Sequence, residues 1–259
     1  VRAFLGRRWA IAAVAVVLVV ALAALARFVL FPPIYPDLSL ERVQKADQLV
    51  VGLDPSYPPF EVVNGQGQLD GLDVELSREL ARRLGVKAQL VAIDYGSMFD
   101  ALLVGKFDLV LGGVSPTPDY EKSLDYTHPY YDDGLVLVLQ SDAPGNTIGI
   151  ESGSDADLGL DQLKPKLTGF QTQPFDDQDQ IQSSLQQRTL RGAIVDAVTG
   201  TQWAHQIKGV AVQPPLLTST PYVIAARRGD QKLLKAVDAA LASMLNDGYV
   251  AKLEAKWLQ

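Results

Sequence analysis

The sequence holds no cysteine and only two histidines, His128 and His205, far apart along its 259 residues. Without cysteine there is no disulfide framework, no lipid-modified cysteine, no thiolate metal site and no cysteine nucleophile. Two isolated histidines cannot supply the HExxH or Cys–His spacings of zinc sites. A Gly-x-Ser-x-Gly elbow is also missing, since Gly113-Val114-Ser115-Pro116 does not qualify, and so is a phosphate loop. Gly65 and Gly67 lack the third glycine of a dinucleotide fingerprint and read as a turn. Asp176, Asp177 and Asp179 lack the glycine and distal glutamate of a calcium loop and read as a solvated helix start. An excess of positive charge is absent too: 23 basic against 30 acidic residues give −7. Leaving out Arg2, Arg7, Arg8 and Arg27 brings the remainder to about −11. A nucleic-acid partner wants a basic face, so none is expected, and most of the acidity reads as a device for solubility. No motif points to a catalytic residue, a metal or a cofactor. Acidic pairs could do acid–base work only if folding brought two together.

What is present begins with a long apolar run. Arg2, Arg7 and Arg8 precede an uncharged stretch from Trp9 to Ala26, continued to Phe31 except for Arg27. Arginines ahead of an apolar stretch keep the N-terminus cytoplasmic and send the remainder of the chain across the membrane. Residues 1–31 are therefore expected to be a signal anchor or transmembrane helix. The run is longer than the roughly 7–15 residues of a secretory core and close to the ~20 of a span, which favours an uncleaved anchor. Ala21-Leu22-Ala23 and Ala24-Leu25-Ala26 nonetheless offer small-x-small cleavage sites. Residues 32–45, with three prolines, read as a linker.

Beyond the linker the pattern is α/β. "QLVVGL", "KAQLVAI" and "FDLVLGG" are short apolar, β-branched runs suited to buried strands. Between them "DVELSRELARRLG" spaces Val74, Leu76, Leu80, Ala81 and Leu84 as one helix face and stops at Gly85. "GSMFDALLVGK" reads as a short helix, and "YYDDGLVLVLQ" as one long strand. A second unit comes next, with strands in "NTIGIESG" and "RGAIVDAV" and helices in "DDQDQIQSSLQQRTL" and "TGTQWAHQI". The last thirty residues make two amphipathic helices broken at Asn246-Asp247-Gly248. Alternating strands and helices argue for mostly parallel sheets with helices packed on them.

In order, "LVVGLDPSYPPFE", "GLDVELSRELARRLG", "DYGSMFDALLVGKFDLVLGGVSPTPDYEKSLDYTHPYY", "GAIVDAV" and "LNDGYVAKLEAKWL" resemble the motifs of family 3 extracellular solute-binding proteins, which serve polar amino-acid ABC importers. The resemblance covers about 46–259. It implies a two-lobed α/β fold of the type II periplasmic binding class with two hinge crossings. Lobe 1 would be 46–133 plus 220–259, lobe 2 would be 134–219, and the N-terminal helix would precede them. It also implies lobe closure on a small-molecule ligand, an amino acid or related cationic amine, and partnership with an ABC permease and its ATPase. The protein would sit in the periplasm or at the cell surface, tethered by the N-terminal helix.

Carried over residue by residue, Asp54 and Tyr57 would line the cleft, with Tyr95 as the opposing aromatic wall. Gly113, Val114 and Ser115 would offer backbone and hydroxyl groups to the ligand's polar head. Ser152 to Asp155 would close from lobe 2, and Asp196 would pair with an α-ammonium or simply cap a helix. Trp203 reads as core. Two departures stand out. Tyr120 occupies the position of the arginine that clamps an α-carboxylate through a bidentate fork, which a tyrosine hydroxyl cannot replace. Glu151 and Asp155 add acids where relatives carry other residues, so convergence of Asp54, Glu151 and Asp196 would make the cleft acidic and suited to a cation. The resemblance leaves two alternatives to transport: a cyclohexadienyl-dehydratase-like enzyme on the same fold, or a membrane-tethered sensor.

Overall fold

The computed structural model describes Val20 and residues 36–258. The anchor expected over 1–31 lies outside the described residues except for Val20; among the described residues no helix is long and apolar enough to cross a membrane. The chain divides into two units, Val1–Asp37 and Leu38–Gln259, and the second holds the sheets and the site.

The linker does not run to Lys45. Ser39–Ala46 is a helix, because Leu40 and Val43 fall one turn apart on a face that packs on the core, with Val43 buried. Ser39 Oγ accepts from the Leu233 amide at 3.1 Å, and Arg42 reaches Asp108 at 3.0 Å. The prolines that suggested a linker all precede this helix.

Two five-stranded sheets organise the unit. In the first, Gln48–Leu53 lies parallel between Lys87–Ala92 and Leu109–Val110, while Ala225–Arg227 and Leu124–Tyr126 complete it antiparallel. Leu72–Arg83, Gln231–Asn246 and Tyr249–Trp257 bury Leu76, Leu80, Leu241 and Leu253 on one face. Tyr95–Leu103 covers the other through Met98, Phe99 and Leu102.

In the second sheet Thr147–Glu151 lies parallel between Gln171–Phe175 and Gly192–Asp196, and Leu135–Gln140 runs antiparallel between Gly192–Asp196 and Val210–Gln213. Strand alternation sends Val136 and Val138 to one face with Trp203, Ile181 and Leu185, and Leu137 to the other with Ile148 and Leu163. Trp203 is thus a core residue.

The long strand expected in "YYDDGLVLVLQ" is two strands, Tyr131–Asp132 and Leu135–Gln140. At the break a Cβ on Gly134 would lie 2.1 Å from the Thr218 carbonyl oxygen, so only glycine lets the two chain segments that pass between the sheets lie side by side. Those segments are knitted together. Asp132 accepts from the Gly134 and Thr220 amides and from the Ser219 hydroxyl, while Tyr131–Asp132 pairs with Pro221–Tyr222.

The helix Ser39–Ala46 carries a direct expectation. Val43→Ala removes two buried methyl groups and should lower stability by about 1.5 kcal/mol at ~0.8 kcal/mol per buried methylene-sized group. Urea unfolding would read this, and a mobile linker would show no change.

Candidate functional site

The parallel strands of both sheets end in the loops that carry the polar residues. Asp54 follows Gln48–Leu53, Gly112 and Gly113 follow Leu109–Val110, and Glu151 and Asp196 are the last residues of their strands. Clefts in open α/β sheets form at such carboxyl ends.

On the first sheet's side, Asp54, Ser56, Tyr57, Tyr95, Gly112 and Tyr222 line a cavity of about 310 Å³, together with Gly113. Asp54 accepts from the Ser56 amide at 3.0 Å and the Tyr95 amide at 2.8 Å. Slight burial pushes its carboxyl up, but these hydrogen bonds prevail and hold it below its ordinary value. Asp94 caps the helix Tyr95–Leu103 through the Ser97 amide, presenting Tyr95 at the rim, 42% exposed. Tyr57, 39% exposed, stacks on buried Phe60 at 5.5 Å. Its hydroxyl lies 2.7 Å from that of Tyr222.

On the second sheet's side, Glu151, Asp155 and Asp196 line a pocket of about 130 Å³. Asp196 also accepts from the Thr199 amide at 2.7 Å, so it caps its helix and lines the pocket at once. A third cavity of about 350 Å³ joins the two: Asp133, Asp155, Asp196 and Tyr222 are among its walls, so Tyr222 is shared with the first and Asp155 and Asp196 with the second. Asp54 thus stands at one end, with Glu151 and Asp196 at the other.

Asp133 and Tyr222 were not singled out in the sequence. Asp133 Oδ2 accepts from the Tyr222 hydroxyl at 2.7 Å and Oδ1 from the Val198 amide at 3.0 Å. Burial pushes Asp133 above its ordinary value against these bonds, and the neighbouring Asp196 carboxylate adds to the rise. Burial likewise lifts Tyr57 to about 12. The available signal was position: both residues flank the expected crossings.

Three expected residues do not line these cavities. Val114 is fully buried in the apolar layer beside Met98, and its carbonyl accepts from the Val223 amide. Ser115 donates its hydroxyl to the Pro221 carbonyl at 2.9 Å rather than offering it to the cleft. Tyr120 stacks on Phe99 at 4.7 Å, and Phe99 meets Tyr95 edge-on at 5.6 Å, so Tyr120 supports the aromatic wall from behind. Gly113 does line the cleft. Among the described residues no group of acids or histidines is arranged to hold a metal.

Beneath the glycine loop lies a buried acid pair that no motif suggested. Glu61 and Asp73 are fully buried with their carboxyls facing each other. Neither oxygen of Glu61 nor Oδ1 of Asp73 has a hydrogen-bond partner, while Asp73 Oδ2 accepts from the Tyr130 hydroxyl at 2.6 Å. A Cβ on Gly112 would fall 2.4 Å from Glu61 Oε1, so glycine is what lets the cleft floor close over the pair. Burial, then the Asp73 charge, pushes Glu61 far above the carboxyl range. Burial raises Asp73 as well, against its hydrogen bond from the Tyr130 hydroxyl. Two carboxyls in contact cannot both ionise, so the pair shares a proton held chiefly by Glu61.

Comparison with known proteins agrees with this architecture. The model of the bacterial extracellular solute-binding proteins, family 3, matches residues 49–259. The L-cystine-binding protein TcyJ of Escherichia coli is 27% identical over 229 residues, covering 84% of this chain and 85% of that protein. The L-arginine-binding protein of Pseudomonas aeruginosa is 28% identical over 238 residues, covering 85% and 91%. The L-cystine solute receptor of Neisseria gonorrhoeae, solved in its unliganded open conformation, superposes with a TM-score of 0.74 at 24% identity, covering 85% and 96%. The last likeness shows the fold, that of the type II periplasmic binding proteins.

The acid pair sets a pH dependence. Unfolded Glu61 releases its proton above about 4.5 whereas folded Glu61 keeps it, so folding takes up a proton and stability declines as pH rises past that value. Glu61→Gln, which mimics the protonated acid, should raise Tm at pH 8 and change it less at pH 5. Equal shifts at both pH values would contradict the shared proton.

Proposed function

The chain belongs to the bacterial extracellular solute-binding proteins, family 3, and from that membership we propose that it is the extracytoplasmic substrate-binding component of an ABC importer. Its ligand is an amino acid or a related cationic amine, held in the cleft between two lobes, 46–133 plus 220–259 and 134–219. The observation that carries this reading is the set of joined cavities at the strand ends. They are walled by Tyr57, Tyr95 and Tyr222, with Asp196 and Glu151 supplied from the other sheet. Aromatic faces take up the apolar stem of a ligand or a cation, and a carboxylate takes up an ammonium. Cystine and arginine, the ligands for which the two relatives are named, fall in the same class.

The paired segments at Asp132–Gly134 and Thr218–Thr220 are short and bonded to each other, which suits two crossings that flex together as a hinge. Closure would bring Asp196 towards a ligand seated against Tyr57. A permease and its ATPase would receive the ligand from the closed form. Residues 1–31 would tether the protein to the cytoplasmic membrane with the binding unit outside. The acids of the cleft serve binding and not turnover.

Thermal-shift screening of the full chain against amino acids and amines tests the class, and Asp196→Asn tests the site. Asparagine caps a helix about as well as aspartate but carries no charge, so Tm without ligand should hold. Affinity should fall by about tenfold or more, because a hydrogen bond to a charged group contributes ~1.5–3 kcal/mol. Unaltered affinity would move the ammonium contact elsewhere. Turnover of prephenate or arogenate would replace transport by catalysis.

A further inference from the structure

We propose that the ligand carries two cationic groups and no carboxylate: an α,ω-diamine or a guanidinoalkylamine, the decarboxylated form of a basic amino acid. This rests on the reading of the cleft as a solute-binding site and narrows the ligand within it.

The first observation is the balance of charge. Five carboxylates, Asp54, Asp133, Glu151, Asp155 and Asp196, line the three joined cavities, against one cation, Lys166, in a fourth cavity that shares Leu135, Asp155 and Thr218 with them. None of the ion pairs among the described residues involves any of the five. Lys166 shares an adjoining cavity with Asp155, but its ammonium donates to the Leu217 carbonyl at 2.5 Å. Elsewhere on this unit acids such as Glu79, Asp108 and Asp230 sit against arginines. The cleft is where negative charge collects without an ion-pair partner, and a cationic ligand would balance it.

The second observation is that the donors a carboxylate would use are already engaged. The Ser115 hydroxyl is directed at the Pro221 carbonyl. The helix at 197–206 has spent its Val198 amide on Asp133 and its Thr199 amide on Asp196. In the loop after Glu151, the Ser152 amide goes to the Phe175 carbonyl, that of Gly153 to Asp157 and that of Ser154 to the Glu151 carbonyl. Tyr120, where a guanidinium could have reached in, is stacked on Phe99. Beside five carboxylates the cavity walls carry one side-chain amide, Gln178, so charged acceptors dominate where an amino acid's carboxylate would need donors.

The third is the arrangement along the cleft. Asp54 stands at one end beside Tyr57 and Tyr95, Asp196, Asp155 and Glu151 at the other, with Tyr222 between them. Two acidic ends joined by an aromatic middle match an apolar chain with a cation at each terminus.

Calorimetry on the full chain with three matched pairs isolates the carboxylate: 1,4-diaminobutane against ornithine, 1,5-diaminopentane against lysine, and 4-guanidinobutylamine against arginine. The amine of at least one pair should bind about tenfold or more tighter than its amino acid, and 1,4-diaminobutane about tenfold or more tighter than butylamine, each being the scale of one charged contact. Glu151→Gln combined with Asp155→Asn should cost the diamine about tenfold. Affinity for the diamine should also fall with added salt. An amino acid equal to or tighter than its amine in all three pairs, or butylamine equal to the diamine, would overturn the inference while the solute-binding reading stood. Failure of every amine and every amino acid to bind would overturn both.

Discussion

Asp133 holds the two sheets in register with one another. One of its oxygens takes the Tyr222 hydroxyl, which in turn meets the Tyr57 hydroxyl on the cleft wall; the other takes the Val198 amide at the start of a helix on the second sheet. A buried carboxylate is costly unless its lone pairs are filled, and here they are filled from both sides of the cleft. The aromatic wall, the helix that carries Asp196 and the segments linking the sheets all take their positions relative to this group. Its neighbour Asp132 ties those linking segments to each other, so two consecutive aspartates fix the junction.

A second buried acid system lies under the floor. Glu61 and Asp73 come from different elements, a strand and a helix start, and meet under Gly112. The contact is tolerable because one proton serves both groups and Tyr130 donates to Asp73. The loop is shaped by what lies beneath it as much as by any ligand above it, which is why its outward face offers the cleft little beyond carbonyls and glycine backbone.

Most of the architecture was legible in the residues. Helix-period spacing in "DVELSRELARRLG" and short β-branched runs such as "QLVVGL" are local signals that survive without tertiary help. The misread places have local explanations too. Three prolines drew attention away from Leu40 and Val43, whose spacing forms a helix face only once a core is there to receive it. "YYDDGLVLVLQ" reads as one strand because nothing in its composition announces that the Thr218 carbonyl presses on Gly134. The family resemblance is what points to Asp54, Tyr57, Tyr95, Glu151, Asp155 and Asp196, and these line the cavities at the strand ends, whereas Val114, Ser115 and Tyr120, suggested on the same ground, turn inward.

Composition and motif order settle the kind of molecule: an acidic, cysteine-free α/β chain whose ordered motifs belong to an extracytoplasmic binding family. Composition and periodicity are properties of neighbouring residues, and those survive in one dimension. Which polar groups are free is settled by packing alone. Whether a hydroxyl, an amide or a carboxylate faces a ligand depends on the partners that folding brings to it from distant segments. Pro221 takes the Ser115 hydroxyl, and Phe99 takes the Tyr120 ring. Five carboxylates are left without an ion-pair partner in the cleft, and that remainder is a sum over contacts that no linear pattern carries.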